Sequence, residues 1–223
     1  MARIVVLMGP QGAGKGTQAQ LLATTFGLPI VATGDILREM AEGVTPLGRQ
    51  IREVQSAGHL VSDEILAEVI KARLGCEDCK SGCILDGFPR TLPQAELLEE
   101  IASSLGNSIL VINLDVPRKL LYERLARRRV CSKCGAVYNV VSKPSKQEGI
   151  CDLDGAPLLT RSDDHEEAIA KRLALYDEKT RPLLDYYGES GRLRTVDGTG
   201  TPEEVFARLS RIFQVETAES SKK

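Results

Sequence analysis

The chain has 223 residues and a nearly balanced charge, with 29 lysines and arginines against 31 aspartates and glutamates and a formal net charge of −2. This length allows one large α/β core with insertions or two small domains, and the balanced charge excludes a nucleic-acid binder that relies on a bulk positive field. No apolar run approaches the roughly 20 residues of a membrane-spanning helix, and the N-terminal apolar run is too short for a signal peptide. We therefore expect a cytoplasmic protein without membrane or nucleic-acid partners.

The first predicted element is a buried strand at residues 4–8, which leads into Gly-Pro-Gln-Gly-Ala-Gly-Lys-Gly-Thr at residues 9–17 and then into a helical pattern. This context is typical of a phosphate-binding loop, because backbone N–H groups and a helix N-terminus face the anion while Lys15 adds a mobile charge. The usual loop places a magnesium-binding hydroxyl directly after the lysine. Here Gly16 intervenes before Thr17, so we expect phosphates and water to hold the magnesium ion. The alternative is a glycine-rich turn without a ligand.

Further strands are predicted at residues 28–32, 83–86, 109–114 and 193–196, with helical patterns between them. One helix is expected to run from residue 115 into the arginines at 127–129. Thr91 and Gln94 have the spacing of a helical capping box. The alternation predicts a parallel sheet with helices on both faces, and ligands of such sheets lie beyond the carboxyl ends of the strands. The phosphate loop, Thr33, Asp86 and the turn at residues 87–90 all fall at that edge.

Two insertions interrupt this alternation, a small helical one at residues 33–61 and a second at 130–161 that lacks helical periodicity. The second contains Cys131 and Cys134, then, after sixteen residues, Cys151 and Asp154. Two pairs separated by a long gap are typical of a tetrahedral zinc site, in which aspartate is an acceptable fourth ligand. Four protein ligands indicate a structural ion in an insertion with few apolar residues. The alternative is three free thiols in a loop without metal.

Three other cysteines, Cys76, Cys79 and Cys83, lie before the strand at 83–86. Because Cys83 begins a buried strand, core packing is favoured over a second metal site.

Arginines are frequent at element ends and in the insertions, at Arg38, Arg90, Arg124, Arg128, Arg161 and Arg172. Two nucleotides with up to five phosphates would need this much positive charge, because phosphoryl transfer is catalysed mainly by positioning and charge neutralisation. For each arginine taken alone, a solvated helix-end residue is the alternative.

Together these motifs resemble the adenylate kinase family, of the bacterial type with a long zinc-binding lid. The resemblance covers nearly the whole chain and rests on residues 9–17, Thr-Gly-Asp at 33–35, Leu-Asp-Gly-Phe-Pro-Arg at 85–90 and Arg-Ser-Asp-Asp at 161–164. It implies a P-loop NTPase-like α/β fold with a five-stranded parallel sheet and helices on both faces. The implied divisions are a core (1–31, 62–127 and 166–223), an insertion that binds the nucleoside monophosphate (32–61) and a lid (128–165).

The implied reaction is ATP + AMP ⇌ 2 ADP, with Mg²⁺ carried by ATP and Zn²⁺ in the lid, and we expect a monomer. By position, the resemblance implies that ATP contacts Gly12, Ala13, Gly14, Lys15, Gly16, Thr17, Arg124, Arg128, Val137 and Tyr138. It implies that AMP contacts Thr33, Arg38, the backbone of Leu60 and Val61, Gly87, Arg90, Gln94, Arg161 and Arg172. The implied catalytic residues are Lys15, Arg90, Arg128, Arg161 and Arg172, with Asp86 orienting magnesium-bound water.

Some alternatives remain open at this point. Gln94 has a structural use in the capping box, and Asp86 could cap a turn or pair with Lys15. A kinase that accepts UMP, CMP or GMP is the nearest functional alternative, although Thr33 and Gln94 favour adenine by resemblance. A protein that senses or hydrolyses ATP without a second nucleotide is another, and a purely structural zinc module is a third.

Overall fold

A computed structural model describes residues 2–56, 61–161 and 164–220, without the side chains of Asp35, Arg38 and residues 54–56 and 216–220. Two residues expected at the AMP site are affected: Leu60 and the side chain of Arg38 lie outside the description. Ser162 and Asp163 of the motif at 161–164 also lie outside it.

Five parallel strands form the central sheet: β1 (Arg3–Met8), β2 (Ile30–Ala32), β3 (Cys83–Asp86), β4 (Ser108–Asp115) and β8 (Leu193–Asp197). Their order is β2-β3-β1-β4-β8, with Val6 in register with Leu85 on one side and Val111 on the other. All three of these residues are fully buried. Central strands of a parallel sheet are covered on both faces, which is why they are continuous apolar runs rather than alternating ones. The predicted fold class and the five core strands are confirmed.

The helices described are α1 (Lys15–Phe26), α2 (Thr33–Glu42), α3 (Pro46–Ser56), α4 (Asp63–Leu74), α5 (Leu92–Ser104), α6 (Arg118–Ala126), α7 (Glu166–Leu175), α8 (Pro182–Glu189) and α9 (Pro202–Ser220). One apolar cluster joins the sheet to α1, α6, α7 and α9, and a second joins its other face to α4, α5 and α8. A π-helical turn, Tyr176–Thr180, connects α7 to α8, where Pro182 occupies a first-turn position that needs no N–H donor. In the described part of the chain, none of the helices combines the length and apolar character that crossing a bilayer requires.

Two predictions about local structure are wrong. The helix α6 ends at Ala126 and does not include the arginines at 127–129, because Arg128 begins the strand β5 (Arg128–Cys131). Gln94 does not close a capping box: Thr91 accepts a hydrogen bond from the Gln94 N–H, but the Gln94 side chain accepts from the Arg90 N–H instead. The Gln94 side chain therefore binds a residue that precedes α5 and does not cap its own helix.

The second insertion is a small antiparallel sheet that the sequence did not predict. Its strands are β5, β6 (Val137–Asn139) and β7 (Leu158–Leu159), in the order β6-β5-β7. Its apolar centre holds Cys131, Tyr138 and Cys151. Strands of two to four residues are too short for a periodic pattern to be recognised.

Candidate active site

The phosphate loop connects the end of β1 to the start of α1. Gly12 and Gly14 have φ angles of 87° and 101°, a region that disfavours residues with side chains. A Cβ atom at Gly12 would also lie 3.1 Å from the Leu121 carbonyl oxygen. Gly14 is the N-cap of α1, so the loop leads directly into a helix N-terminus. Backbone N–H groups and the positive end of the helix thus meet at one anion-binding position.

Lys15 lies within this loop and donates hydrogen bonds from Nζ to the carbonyl oxygens of Gly9 (2.6 Å) and Pro10 (3.1 Å). Burial lowers the pKa of the Lys15 ammonium group to about 8, and the Asp86 carboxylate opposes this shift. The guanidinium groups of Arg90, Arg172 and Arg128 lower that pKa further. The lysine is therefore surrounded by an excess of positive charge, which a polyphosphate would neutralise.

Asp86 ends β3 beside the phosphate loop. Its Oδ2 atom lies 3.7 Å from the position that a Cβ atom at Gly16 would occupy. The carboxylate of Asp86 therefore lies next to the backbone of the phosphate loop at Gly16. Carboxylates with access to a phosphate site are suited to hold magnesium-bound water.

The arginines Arg128 and Arg172 share one buried carboxylate, that of Asp164. Asp164 accepts from Arg128 Nε at 2.7 Å and Nη2 at 2.5 Å, and from Arg172 Nη1 at 3.2 Å. The Asp164 side chain is fully buried. Asp164 is named in the sequence only as part of the motif at residues 161–164, and this role was not predicted, although an acidic residue between the two site arginines Arg161 and Arg172 is a recognisable signal.

Arg124 braces the phosphate loop from α6. Its guanidinium group donates to the carbonyl oxygens of Ala13 (3.3 Å) and Gly198 (3.0 Å). It therefore connects the phosphate loop to the turn after β8.

A cavity of about 350 Å³ separates the phosphate loop from the small sheet of the second insertion. It is lined by every residue expected to contact ATP and by Asp86, Arg161 and Arg172. Several other lining residues were not predicted from the sequence: Asn139, Ser142, Lys143, Gly198, Gly200, Pro202 and Val205. The residues after β8 carry no distinctive sequence signal, because they form an ordinary polar turn and helix start.

Four of the residues expected at AMP, Thr33, Gly87, Arg90 and Gln94, form a neighbouring cluster around the end of β3. The Thr33 hydroxyl donates to the Asp86 carbonyl oxygen at 3.3 Å, and Arg90 Nε donates to the Gly87 carbonyl oxygen at 2.8 Å. The Gln94 side chain, only 6% exposed, lies beside them. Val61 is separate, buried in the apolar cluster of the first insertion with Leu37 and Ile51. Asp86 lines the phosphate-loop cavity and also accepts the hydrogen bond from Thr33. The residues expected at ATP and the cluster expected at AMP therefore meet at Asp86.

The ligand atoms of Cys131, Cys134, Cys151 and Asp154 all lie within 4.8 Å of one another. The Sγ atoms of Cys134 and Cys151 are 3.7 Å apart, and Cys131 Sγ lies 3.3 Å from Asp154 Oδ1. Tetrahedral zinc with bonds of about 2.3 Å has ligand–ligand edges of about 3.8 Å, so the four residues fit such an ion. The N–H groups of Lys133 and Cys134 donate to Cys131 Sγ at 3.4 Å, as expected around a thiolate. The cluster is therefore able to hold a metal ion.

The second set of cysteines differs. Cys79 and Cys83 are each 1% exposed and belong to the apolar cluster that includes α4 and α5, which confirms core packing for Cys83.

A phosphate loop on a parallel sheet, facing arginines across a cavity, defines the class of P-loop phosphotransferases. The family model described as adenylate kinase matches residues 7–192. The adenylate kinase of Carboxydothermus hydrogenoformans is 46% identical over 94% of this chain and 99% of its own length. That of Caldicellulosiruptor saccharolyticus is 48% identical over 92% and 98%, and that of Pelobacter propionicus 46% identical over 94% and 96%. The chain belongs to the adenylate kinase family, which confirms the resemblance seen in its motifs, and it is a nucleoside monophosphate kinase.

Proposed function

We propose that the chain transfers the terminal phosphoryl group of MgATP reversibly to AMP, giving two molecules of ADP. One observation carries the proposal beyond family membership. The phosphate-loop cavity and the cluster of Thr33, Gly87, Arg90 and Gln94 adjoin at Asp86. A donor nucleotide in the cavity would thus have its terminal phosphate next to an acceptor held by that cluster.

On the donor side, the backbone of residues 12–17 and Lys15 bind the ATP phosphates, and Arg124 and Arg128 bind from α6 and β5. Val137 and Tyr138 pack against the adenine. Their place opposite the phosphate loop in one cavity supports these roles.

On the acceptor side, AMP is bound by Thr33, Arg38, the backbone of Leu60 and Val61, Gly87, Arg90 and Gln94. The hydrogen bonds that already join Thr33 and Arg90 to the backbone at Asp86 and Gly87 support a preformed pocket. Arg161 and Arg172 contact the transferring phosphoryl group from the other side.

In the transfer step, an oxygen of the AMP phosphate forms a bond to the terminal phosphorus of ATP, while the bond from that phosphorus to the bridging oxygen of ADP breaks. The attacking oxygen is already anionic, so no strong general base is needed. Lys15, Arg90, Arg128, Arg161 and Arg172 neutralise the charge of the equatorial oxygens. Mg²⁺ would enter as part of the MgATP substrate and would supply further positive charge, and Asp86 would hold magnesium-bound water.

The second insertion, residues 128–165, acts as a lid and the first, residues 32–61, closes over AMP. Closure excludes water, which would otherwise compete with AMP as acceptor. The Cys131, Cys134, Cys151 and Asp154 cluster holds a structural zinc ion, because all four positions of a tetrahedron are filled by protein. The fit of the ligand spacing to zinc supports this assignment.

The direct test is formation of ADP from MgATP with AMP, UMP, CMP and GMP as acceptors, paired with metal analysis of the purified protein. We expect activity that depends on AMP and one zinc per chain. Lys15→Met should lower turnover by about two to four orders of magnitude, whereas Lys71→Met, a change of the same type in α4, should not. Preference for another monophosphate, or ATP hydrolysis that does not depend on AMP, would contradict the proposal.

A further inference from the structure

The amide of Gln94 is held from both ends. Its Nε2 atom donates to Asp63 Oδ1 at 2.7 Å, and its Oε1 atom accepts from the Arg90 N–H at 2.8 Å. An ionised carboxylate only accepts hydrogen bonds and a backbone N–H only donates them. The two partners therefore enforce the same orientation of the amide, and rotating it by 180° would set oxygen against oxygen and N–H against N–H.

Asp63 is well placed to keep this orientation. It is the first residue of α4, after the N-cap Ser62, where the positive end of the helix favours a carboxylate. Arg90 N–H is fixed by the turn after β3, and Gln94 is itself in the first turn of α5. Three separate elements thus meet at one buried amide.

The held amide retains one N–H donor on its nitrogen and one acceptor position on its oxygen. A ligand edge that pairs with both must carry one donor and one acceptor in matching order. The 6-amino group and N1 of adenine present that order, whereas the 6-oxo group and N1–H of hypoxanthine or guanine present the reverse. A glutamine free to rotate would accept both kinds of purine.

We propose that Asp63 is a positioning residue that sets the preference of the acceptor site for 6-amino over 6-oxo purine monophosphates, by preventing rotation of the Gln94 amide. This inference rests on the proposed function, in which Gln94 faces the base of AMP. It adds that the preference comes from Asp63, which need not contact the nucleotide.

The test is Asp63→Asn, measured as kcat/KM for AMP and for IMP with MgATP as donor. Asparagine keeps the size of the side chain but can turn its own amide, so only the Arg90 N–H then opposes the reversed orientation of Gln94. We expect the IMP-to-AMP ratio of kcat/KM to rise by about tenfold or more. The change should lie in KM for the acceptors, with kcat for AMP within about twofold of the unmodified enzyme. The ratio comes from one preparation, so it does not depend on the fraction of folded protein.

The matched control is Glu64→Gln, which removes a charge from the same turn of α4 without touching Gln94. It should leave the ratio unchanged. In a Gln94→Ala background, Asp63→Asn should also leave the ratio unchanged, because Asp63 acts through Gln94. An unchanged ratio in Asp63→Asn alone, an equal rise in Glu64→Gln, or a further rise in the Gln94→Ala background would each overturn the proposal. Failure of the proposed function is distinguishable, because the unmodified enzyme would then form no ADP in response to AMP.

Discussion

The hydroxyl group of Tyr138 lies 3.4 Å from the Sγ atom of Cys151, so a residue that lines the phosphate-loop cavity contacts a member of the cysteine–aspartate cluster. The same hydroxyl accepts a hydrogen bond from the Asp152 N–H at 2.8 Å. Tyr138 is only 5% exposed and packs with Cys131 and Cys151 at the centre of the small sheet. The phosphate-loop cavity and the cysteine–aspartate cluster thus share one side chain.

Tyr138→Phe removes this hydroxyl but keeps the ring. Groups that hydrogen-bond to metal ligands typically change metal affinity by about 10- to 100-fold, so we expect faster release of zinc to a chelator. The Asp152 N–H also loses its partner, which should loosen the wall of the cavity and raise KM for ATP about two- to fivefold. Tyr186→Phe, on α8, is the control and should change neither quantity. Equal rates of zinc release in the two variants would show that the Tyr138 hydroxyl does not support the metal site.

Removal of the metal ion should lower stability more than catalysis. A structural ion binds the folded state and not the unfolded one, so chelation should lower the melting temperature by about 5–10 °C while kcat at low temperature falls less than about twofold. Cys131→Ser should reproduce the effect in a differential scanning calorimetry experiment. Cys76→Ser changes an exposed cysteine outside the cluster and should leave both metal content and melting temperature unchanged. A parallel loss of kcat and stability at low temperature would indicate that the ion has more than a structural role.

The parts of the structure that the sequence predicts are those whose signal is local. The strand β1 and the phosphate loop are recognisable because a continuous apolar run ends in glycines whose positive φ angles the turn requires, at Gly12 and Gly14. The spacing of Cys131, Cys134, Cys151 and Asp154 identifies a possible metal cluster because pairs of ligands two residues apart reach one ion from tight turns.

The parts that the sequence does not predict depend on contacts between distant elements. The role of Asp164 arises only when β5 and α7 bring Arg128 and Arg172 to it. The capping box at Gln94 fails locally, because Gln94 Oε1 accepts from the Arg90 N–H. The amide nitrogen of Gln94, in contrast, donates to Asp63, 31 positions away. No pattern within one helix contains that information.

Asp164→Asn should destabilise the enzyme strongly in the absence of nucleotide. Asparagine removes the buried negative charge that Arg128 and Arg172 share, while their side chains remain only 16% and 24% exposed, so the free energy of unfolding should fall by about 2–3 kcal/mol. Saturating ADP should restore part of this loss, because its phosphates bring negative charge to the same arginines. Urea unfolding with and without ADP measures both effects.

The control for Asp164 is Asp177→Asn, which breaks an ion pair with Arg118 in which both side chains are about half exposed. Such pairs contribute less than about 1 kcal/mol. A loss at Asp164 no larger than at Asp177, or one that ADP leaves unchanged, would contradict the role of Asp164 as the shared partner of the arginines.

The protonation of Lys15 should make nucleotide binding pH-dependent. Burial holds the pKa of Lys15 at about 8, and a bound polyphosphate raises it by favouring the charged form. Above pH 8 the free enzyme has lost this proton and must regain it on binding, so affinity falls as pH rises. We expect ADP to bind about tenfold more weakly at pH 9 than at pH 7. The phosphates of ADP, whose last pKa is about 6, are already ionised over this range of pH.

Isothermal titration calorimetry in two buffers with different ionisation enthalpies counts the protons taken up on ADP binding. For the unmodified enzyme the count should rise from near zero at pH 6.5–7 towards one at pH 9, where Lys15 is mostly neutral before binding. Lys15→Arg keeps the positive charge but does not titrate in this range, so proton uptake at pH 9 should disappear even if binding is weaker. Uptake that persists in Lys15→Arg would assign the proton to another group, and no uptake in the unmodified enzyme would mean that Lys15 is already charged at pH 9.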